Sequence, residues 1–505
     1  MPTDPPSARP LPPPLAVGLV VTASASVLIL EILAGRLLAP YVGVSIETYT
    51  GIIGTVLAGI AIGAWLGGTL ADRYDPRRLL PLLFVLSGAL ALIVLPVVRT
   101  IGGAGGPGAP GSGAEIIVLT ALGFLPSATV LSAVPPAVVK LQLRDLDRAG
   151  ATVGTLSGWS TGGAIIATFF TGFVLVRWAA VTTLVVAVGL VLIVLGFALA
   201  LLGRPGTRPA EATNSLLAPL ALGALGLTGV VAIDSPCQTE TAYYCASVVA
   251  DPDPAHPSRR TLVLDDLRHS TIDLDDPTYL GFWYIRRLAD AVRNEAPDGT
   301  VDVVHLGGGG FTLPRWLRAV RPGSEQKVLE IDPKLVELVE RDLGFPPGPD
   351  VEVITGDGRL SLRALPDDSA DVIIGDAFGS RAVPWHLATR EFLTDVRRVL
   401  RPDGVYAANI IDGPEQRFLR AEAATLAAVF DHVEVILGPL AVDGQRGNSI
   451  IYAADEPIDT AAIDAVLIEG AQGGRRITDL DAFLAGVDVL TDDHAPVDQL
   501  LSGSA

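Results

Sequence analysis

Val301-Asp-Val-Val-His-Leu-Gly-Gly-Gly-Gly310, followed by Lys327-Val-Leu-Glu-Ile-Asp332, decides the reading of the C-terminal half. A hydrophobic strand that ends in Gly307, Gly308, Gly309 and Gly310 lets the backbone turn tightly and a ligand approach closely. The acid near the end of the next strand, Glu330, then stands where a carboxylate can accept hydrogen bonds from two ribose hydroxyls. The pattern is that of a nucleoside-binding α/β sheet.

Working outward from this pair of strands, the same alternation repeats. A helix over 312–320, with Thr312 as its cap, follows the first strand. A helix over 333–343 with Pro333 at its start follows the second. The strand 351–356 ends in Gly356-Asp357-Gly358, and the strand 371–376 ends at Asp376. A helix over 386–400, a strand over 405–410, a helix over 415–430 and a hairpin near 432–454 complete the series. Upstream, Thr261–Asp273 predicts two short strands around a polar turn, and 276–293 predicts a helix. Strands alternating with helices imply a parallel sheet covered on both faces, with ligands bound beyond the carboxyl ends of the strands. Gly307–Gly310, Glu330, Asp357 and Asp376 are thereby brought to one crevice.

The N-terminal half is of another kind. The 505-residue chain is 50% hydrophobic, and its mean hydropathy of +0.47 is too high for a purely soluble protein. Seven segments are apolar over the length needed to cross a bilayer: 15–38, 46–70, 79–98, 115–138, 152–176, 179–202 and 215–233. The loops after the second, fourth and sixth carry Arg73, Arg77, Arg78, Lys140, Arg144, Arg148, Arg204 and Arg208. The odd loops carry only Arg36, Arg99 and Arg177. Eight cations against three place the even loops and the N-terminus in the cytoplasm, and an odd number of spans places the C-terminal domain outside.

Cys237 and Cys245, the only cysteines, follow the seventh span directly. A pair this close can form a disulfide, which persists in an oxidising compartment; the plain alternative is two separate buried thiols. Neither has the neighbours of a metal site, and no metal is expected.

The expected organisation is a proline-rich disordered tail at 1–14, a helical membrane domain at 15–233, a small β linker at 234–275 and the α/β domain at 276–505. Charge divides the chain in the same way. Residues 1–233 hold 12 basic and 9 acidic side chains, and the remainder hold 24 and 46. So acidic a domain repels nucleic acid and attracts cations such as polyamines. Within the membrane half, Glu31 faces the bundle interior or pairs with Arg36. Gly158–Gly163 suits a tight helix interface, and the loop Gly67–Arg78 resembles the signature between helices two and three of major-facilitator transporters.

On these motifs the C-terminal half resembles the spermidine synthase (polyamine aminopropyltransferase) family, within the class I methyltransferase-like fold, over roughly residues 261–440. The whole chain resembles the bacterial proteins in which such a domain is fused to membrane helices. The resemblance implies decarboxylated S-adenosylmethionine or S-adenosylmethionine as co-substrate, Glu330 on the ribose, Asp357 on the adenine amino group and Asp376 as the base that deprotonates an attacking amine. Three departures bear on the acceptor. The family turn Gly-Gly-Gly-Asp-Gly is here Gly307-Gly-Gly-Gly310-Phe311. The family's second loop acid is absent from Asp376-Ala-Phe-Gly379, and its Tyr-His-Glu becomes Tyr279-Leu280-Gly281. The acids that would hold a cationic diamine are largely gone, while those that would hold a nucleoside persist.

Three functions follow as expectations. One is a membrane-anchored transferase of an aminopropyl or methyl group from an adenosyl-sulfonium donor. The second is an inactive sensor or structural domain. The third is a component of a polyamine or small-molecule transporter. Trp385 and His386 either line the crevice mouth or serve packing, and Thr491–Asp498 resembles a tail segment of the fused proteins.

Overall fold

A computed structural model describes residues 10–103, 113–143, 146–202, 209–295, 299–379, 382–469 and 473–501. Residues 1–9 of the expected tail, and Arg144, Arg204 and Arg208 of the basic loops, lie outside the described residues. The chain divides into two compact units. One is Met1–Ala246 with Leu264–Leu267, and the other is Ser247–Val263 with Arg268–Ala505.

The first unit contains seven helices long and apolar enough to cross a membrane: α1 (Pro13–Val42), α2 (Ile46–Arg73), α3 (Pro76–Gly102), α4 (Gly113–Gln142), α5 (Ala149–Trp178), α6 (Val181–Leu202) and α7 (Pro209–Ala232, apolar over Ser215–Ala232). Each of the seven apolar segments of the sequence is helical. The first begins at Pro13, so the expected tail is helical at its end. Ser45 caps α2 by accepting from the Thr48 amide at 3.1 Å, and Asp75 caps α3 by accepting from the Arg77 amide at 3.0 Å. Within α4 the helix breaks at Ala133, just before Pro135 and Pro136, which lack the donors to continue it.

Small residues let α2 and α4 approach closely. A Cβ added at Gly59 would lie 2.9 Å from the Ala128 side chain, and one at Gly67 only 2.6 Å from Ala133 Cα. Of the glycines in Gly158–Gly163, Gly163 packs against Val21 of α1 while Gly158 and Gly162 face open space, and the Ser160 hydroxyl meets that of Ser24 on α1. Arg36 donates to the carbonyls of Thr241 and Tyr243 rather than to Glu31. The disulfide Cys237–Cys245 is closed.

Past the helices runs a four-stranded sheet in sequential order: β1 (Thr239–Glu240), β2 (Cys245–Ala250), β3 (Arg259–Leu264) and β4 (Leu267–Asp273). The second unit is built on eight strands: β5 (Asp302–Leu306), β6 (Glu325–Glu330), β7 (Val351–Thr355), β8 (Ala370–Gly375), β9 (Leu400–Asp412), β10 (His432–Leu437), β11 (Gly447–Ala454) and β12 (Arg475–Arg476). Their order is β12-β10-β11-β9-β8-β5-β6-β7. The five strands from β9 to β7 are parallel, as the alternation requires. The terminal hairpin β10–β11 joins the same sheet antiparallel, so the sheet is mixed.

Successive residues of β5 point to opposite faces. Val303 packs with Leu288 and Trp316 of helices α8 (Trp283–Glu295) and α9 (Thr312–Val320). Val304 and Leu306 pack with Leu362, Phe392 and Phe418 of three helices, α11 (Gly358–Arg363), α12 (Arg390–Val399) and α13 (Arg417–Ala427). Between these two sets comes α10 (Pro333–Asp342), which Asp332 caps through the amides of Lys334 and Leu335.

Two local expectations are corrected. Thr312 does not cap α9. Phe311, with φ of 55°, occupies the cap position, and Thr312 is already helical. The helix expected from 276 starts at Trp283, because Asp276 first forms a turn with the amides of Thr278 and Tyr279.

Candidate functional site

The parallel ladder sets the ends of four strands side by side. The Gly307 amide donates to the Leu329 carbonyl at 2.9 Å, the Asp376 amide to Leu306 at 3.1 Å, and the Gly356 amide to Glu330 at 2.9 Å. The glycine turn, Glu330, the Gly356–Gly358 turn and Asp376 therefore share one edge, which is where such sheets bind ligands.

Gly307 has φ of +90°, and a Cβ there would lie 2.6 Å from the Asp376 carbonyl oxygen. Glycine is required at this point both for its backbone conformation and for space. The Gly308 amide donates to Glu330 Oε2 at 2.8 Å, and the Asp332 amide donates to Oε1 at 2.9 Å. Glu330 is 5% exposed. Burial raises its pKa, against the opposing effect of these two amides. The carboxylate is thus locked in place by the turn that it faces, and its remaining lone pairs leave room for two hydroxyl donors.

Gly309 and Gly310 meet β4. A Cβ at Gly309 would lie 2.9 Å from His269 Cε1, and the Gly310 amide donates to Ser270 Oγ at 3.0 Å. A Cβ at Gly310 would lie 2.6 Å from the Ser270 Cβ, so Ser270 fills the space where the family pattern carries an acid. Burial depresses the His269 imidazole to about 4, which keeps it neutral beside the turn.

Asp376 follows β8 and is partly exposed. Asn409 Nδ2 of β9 donates to Asp376 Oδ1 at 2.8 Å, and Asn448 Nδ2 of β11 donates to Asn409 Oδ1 at 2.9 Å. The chain of amides fixes the carboxylate's orientation across three strands. Burial pushes its carboxyl up to about 6, against the hydrogen bond from Asn409. Tyr284 of α8 donates its hydroxyl to the His269 carbonyl at 3.2 Å. Burial and the Asp376 charge push that phenol well above its ordinary range.

Asp357 sits slightly apart in role. It caps α11 through the Leu360 amide at 3.0 Å and meets His386 Nε2 at 3.2 Å. His386 is therefore a partner of the crevice, and Trp385 is 50% exposed rather than packed. Leu280, which stands at a polar family position, is in the core at 8% exposure. Among the described residues, no cluster of three His, Cys, Asp or Glu side chains is arranged to hold a metal ion.

Several residues of this site escaped the sequence reading. Asn409 and Asn448 are amides in otherwise apolar strands, a signal visible as isolated polar residues in runs such as Ala407-Ala-Asn-Ile-Ile. His269, Ser270 and Tyr284 carried no such signal, because only the fold brings β4 and α8 to the glycine turn.

No protein-family model matches the chain. A polyamine aminopropyltransferase of Vibrio vulnificus is 33% identical over 168 residues, covering 32% of this chain and 54% of that protein. A probable polyamine aminopropyl transferase of Bifidobacterium longum is 26% identical over 253 residues, covering 46% and 55%. Among solved structures, a probable spermidine synthase from Corynebacterium glutamicum is 28% identical with a TM-score of 0.45, covering 49% of this chain and 93% of that one. The chain spans about half the length of these two curated relatives.

Proposed function

We propose that the spermidine synthase-like C-terminal half of the chain is a transferase domain that binds an adenosyl-sulfonium ligand while anchored to a bilayer by seven helices. The observation that carries this reading is the lock between Glu330 and the glycine turn, through the Gly308 amide at 2.8 Å. It presents a fixed carboxylate beside bare backbone, which suits a ribose diol and an approaching thioether or sulfonium.

The sulfonium supplies an electrophilic carbon when such a ligand is bound, so the protein's own contribution is positioning. Asp376, oriented by Asn409, would accept the proton of an incoming amine as its nitrogen bonds to that carbon and the carbon–sulfur bond breaks. A dicationic acceptor is disfavoured. Ser270 closes the space beside Gly310, and Leu280 is apolar where the family pattern is polar. An uncompensated ammonium there would cost more than the roughly 2–7 kcal/mol of an unsatisfied neutral polar group. We therefore read the acceptor as less charged than putrescine, for aminopropyl or methyl transfer alike. The acidic surface argues against nucleic acid as a partner.

A second reading has a specific observation in its favour. Positions 310 and 280 carry Gly310 and the core residue Leu280 in place of the polar groups that would hold an amine, while Glu330 stays locked to the glycine turn. On that reading the domain senses an adenosyl ligand without turning it over. Calorimetric titration of the detergent-purified full chain with S-adenosylmethionine and its decarboxylated form tests both. Binding that Glu330→Gln weakens about tenfold or more is expected from losing one charged hydrogen-bond partner. Absence of any binding would sink both readings, and binding without transfer of radiolabel to any amine would leave the sensor.

A further inference from the structure

The turn between α2 and α3 carries a second candidate site, unrelated to the adenosyl crevice. A cavity of about 550 Å³ opens there, walled by Leu66 and Leu70 of α2, Leu82 and Leu86 of α3, and Val130 of α4, with Tyr74, Arg77 and Arg78 at one end. Its charged groups lie at that end, and apart from Thr129 and Ser215 the rest of the wall is apolar. A lone water-soluble ligand would leave the long apolar wall unmatched. An amphiphile matches both parts.

The charge at this end is also one-sided. On α2, the turn after it and the start of α3, Arg73, Arg77 and Arg78 stand against Asp72 and Asp75, and Lys140 of α4 adds a further cation. Both acids already have partners. Asp72 is bound by Lys140 at 2.5 Å, and Asp75 caps α3 through the Arg77 amide. The turn lies between two apolar spans, so its arginines sit at the water–lipid boundary, where cations beside an interhelical groove recognise anionic headgroups.

We propose that this groove binds one anionic phospholipid, its phosphate on Arg77 and Arg78 and an acyl chain along Leu66, Leu70, Leu82 and Leu86. The inference rests on the helices crossing a bilayer, and not on any property of the adenosyl site. Two interfacial cations imply a preference of roughly 30-fold for an anionic over a zwitterionic lipid.

The test uses the full chain purified in detergent, mixed with equal amounts of phosphatidylglycerol and phosphatidylcholine and followed by native mass spectrometry. One phosphatidylglycerol should be retained. The double substitution Arg77→Gln/Arg78→Gln should reduce that retention roughly 30-fold. The double substitution to Lys should keep most of it, which separates charge from misfolding. Arg148→Gln, on another loop, should change nothing. Equal retention of the two lipids, undiminished retention by the double Gln variant, or displacement by inorganic phosphate alone would each overturn the site. A chain that stays in solution without detergent would overturn the membrane reading with it.

Discussion

Arg359 holds Asp492 through two N–H···O bonds of 2.7 Å each, tying the helix beside Asp357 to a segment 133 residues further along the chain. The same guanidinium donates to the His386 carbonyl at 3.2 Å, and Asp492 also accepts from Thr389 Oγ1 at 2.7 Å. The tail segment Thr491–Asp498 thus fixes both Asp357 and its partner His386. Arg359 is 9% exposed at its side chain and Asp492 is 40% exposed. Breaking a buried pair costs about 3–5 kcal/mol, and the partial exposure of Asp492 reduces this. Asp492→Ala should destabilise the domain by roughly 2–3 kcal/mol in chemical denaturation. The Arg359 guanidinium and the Thr389 hydroxyl hold the Asp492 carboxyl down to about 2. The stabilisation is therefore complete above the ordinary carboxylate range and is lost as pH falls through about 2.

Asp376 has the opposite sign. Burial raises its carboxyl to about 6, so the folded chain holds that proton more tightly than the unfolded one. Stability falls as pH rises from the ordinary carboxylate range through about 6 and stays reduced above it. Asp376→Asn should therefore stabilise the domain near neutral pH by roughly 1–2 kcal/mol once partial exposure is allowed for, with a higher melting midpoint there and little change near pH 3. A midpoint lowered at neutral pH would show that the carboxylate is stabilised in place.

The same group sets a kinetic expectation. If Asp376 accepts the acceptor's proton, the transfer rate should rise with pH through about 6. Asn409 donates to the ionised form, so its removal favours the protonated one. Asn409→Leu should shift that rising limb to higher pH, with Asn448→Leu doing so more weakly. A pH profile that neither substitution moves would detach Asp376 from the chemistry.

Much of this was legible because it was local. The helix over 312–320 followed from its place in the strand–helix alternation, and the seven apolar helices from runs of apolar residues of sufficient length. The glycines at 307–310 announced a turn, and the alternation of elements placed Glu330, Asp357 and Asp376 at one edge. What was not legible depended on distant strands meeting. The link from Asn448 through Asn409 to Asp376 joins β11, β9 and the end of β8. The contact of Ser270 with Gly310 spans 40 residues. The cap of α9 was misplaced for a different reason: a phenylalanine in left-handed conformation is rare, and no propensity anticipates it.

Gly307 offers a sharper local test. Its φ is +90°, and a Cβ added there would meet the Asp376 carbonyl oxygen at 2.6 Å, which leaves no room for a side chain. Gly307→Ala should cost roughly 1–3 kcal/mol and displace the start of the Asp376 loop. Adenosyl-ligand affinity should fall more than that of Gly344→Ala, where φ is +61° but open space surrounds the residue. Equal losses in the two variants would mean that backbone strain alone, rather than the crevice, responds.

The disulfide between Cys237 and Cys245 tests the side of the membrane. Its two cysteines lie eight residues apart, and closing so short a loop contributes about 2.5 kcal/mol in the chain-entropy treatment. A structural bond of this kind persists outside the cytoplasm and is rare within it. Both thiols should resist alkylation in intact cells until a reductant is added, and an alkaline phosphatase fusion at the C-terminus should be active. That outcome would place the proposed adenosyl site away from the compartment where adenosyl donors are made, and would favour the sensing reading over turnover. Free, alkylatable thiols together with a fluorescent C-terminal fusion would put the domain in the cytosol, where transfer to an amine becomes the expected activity.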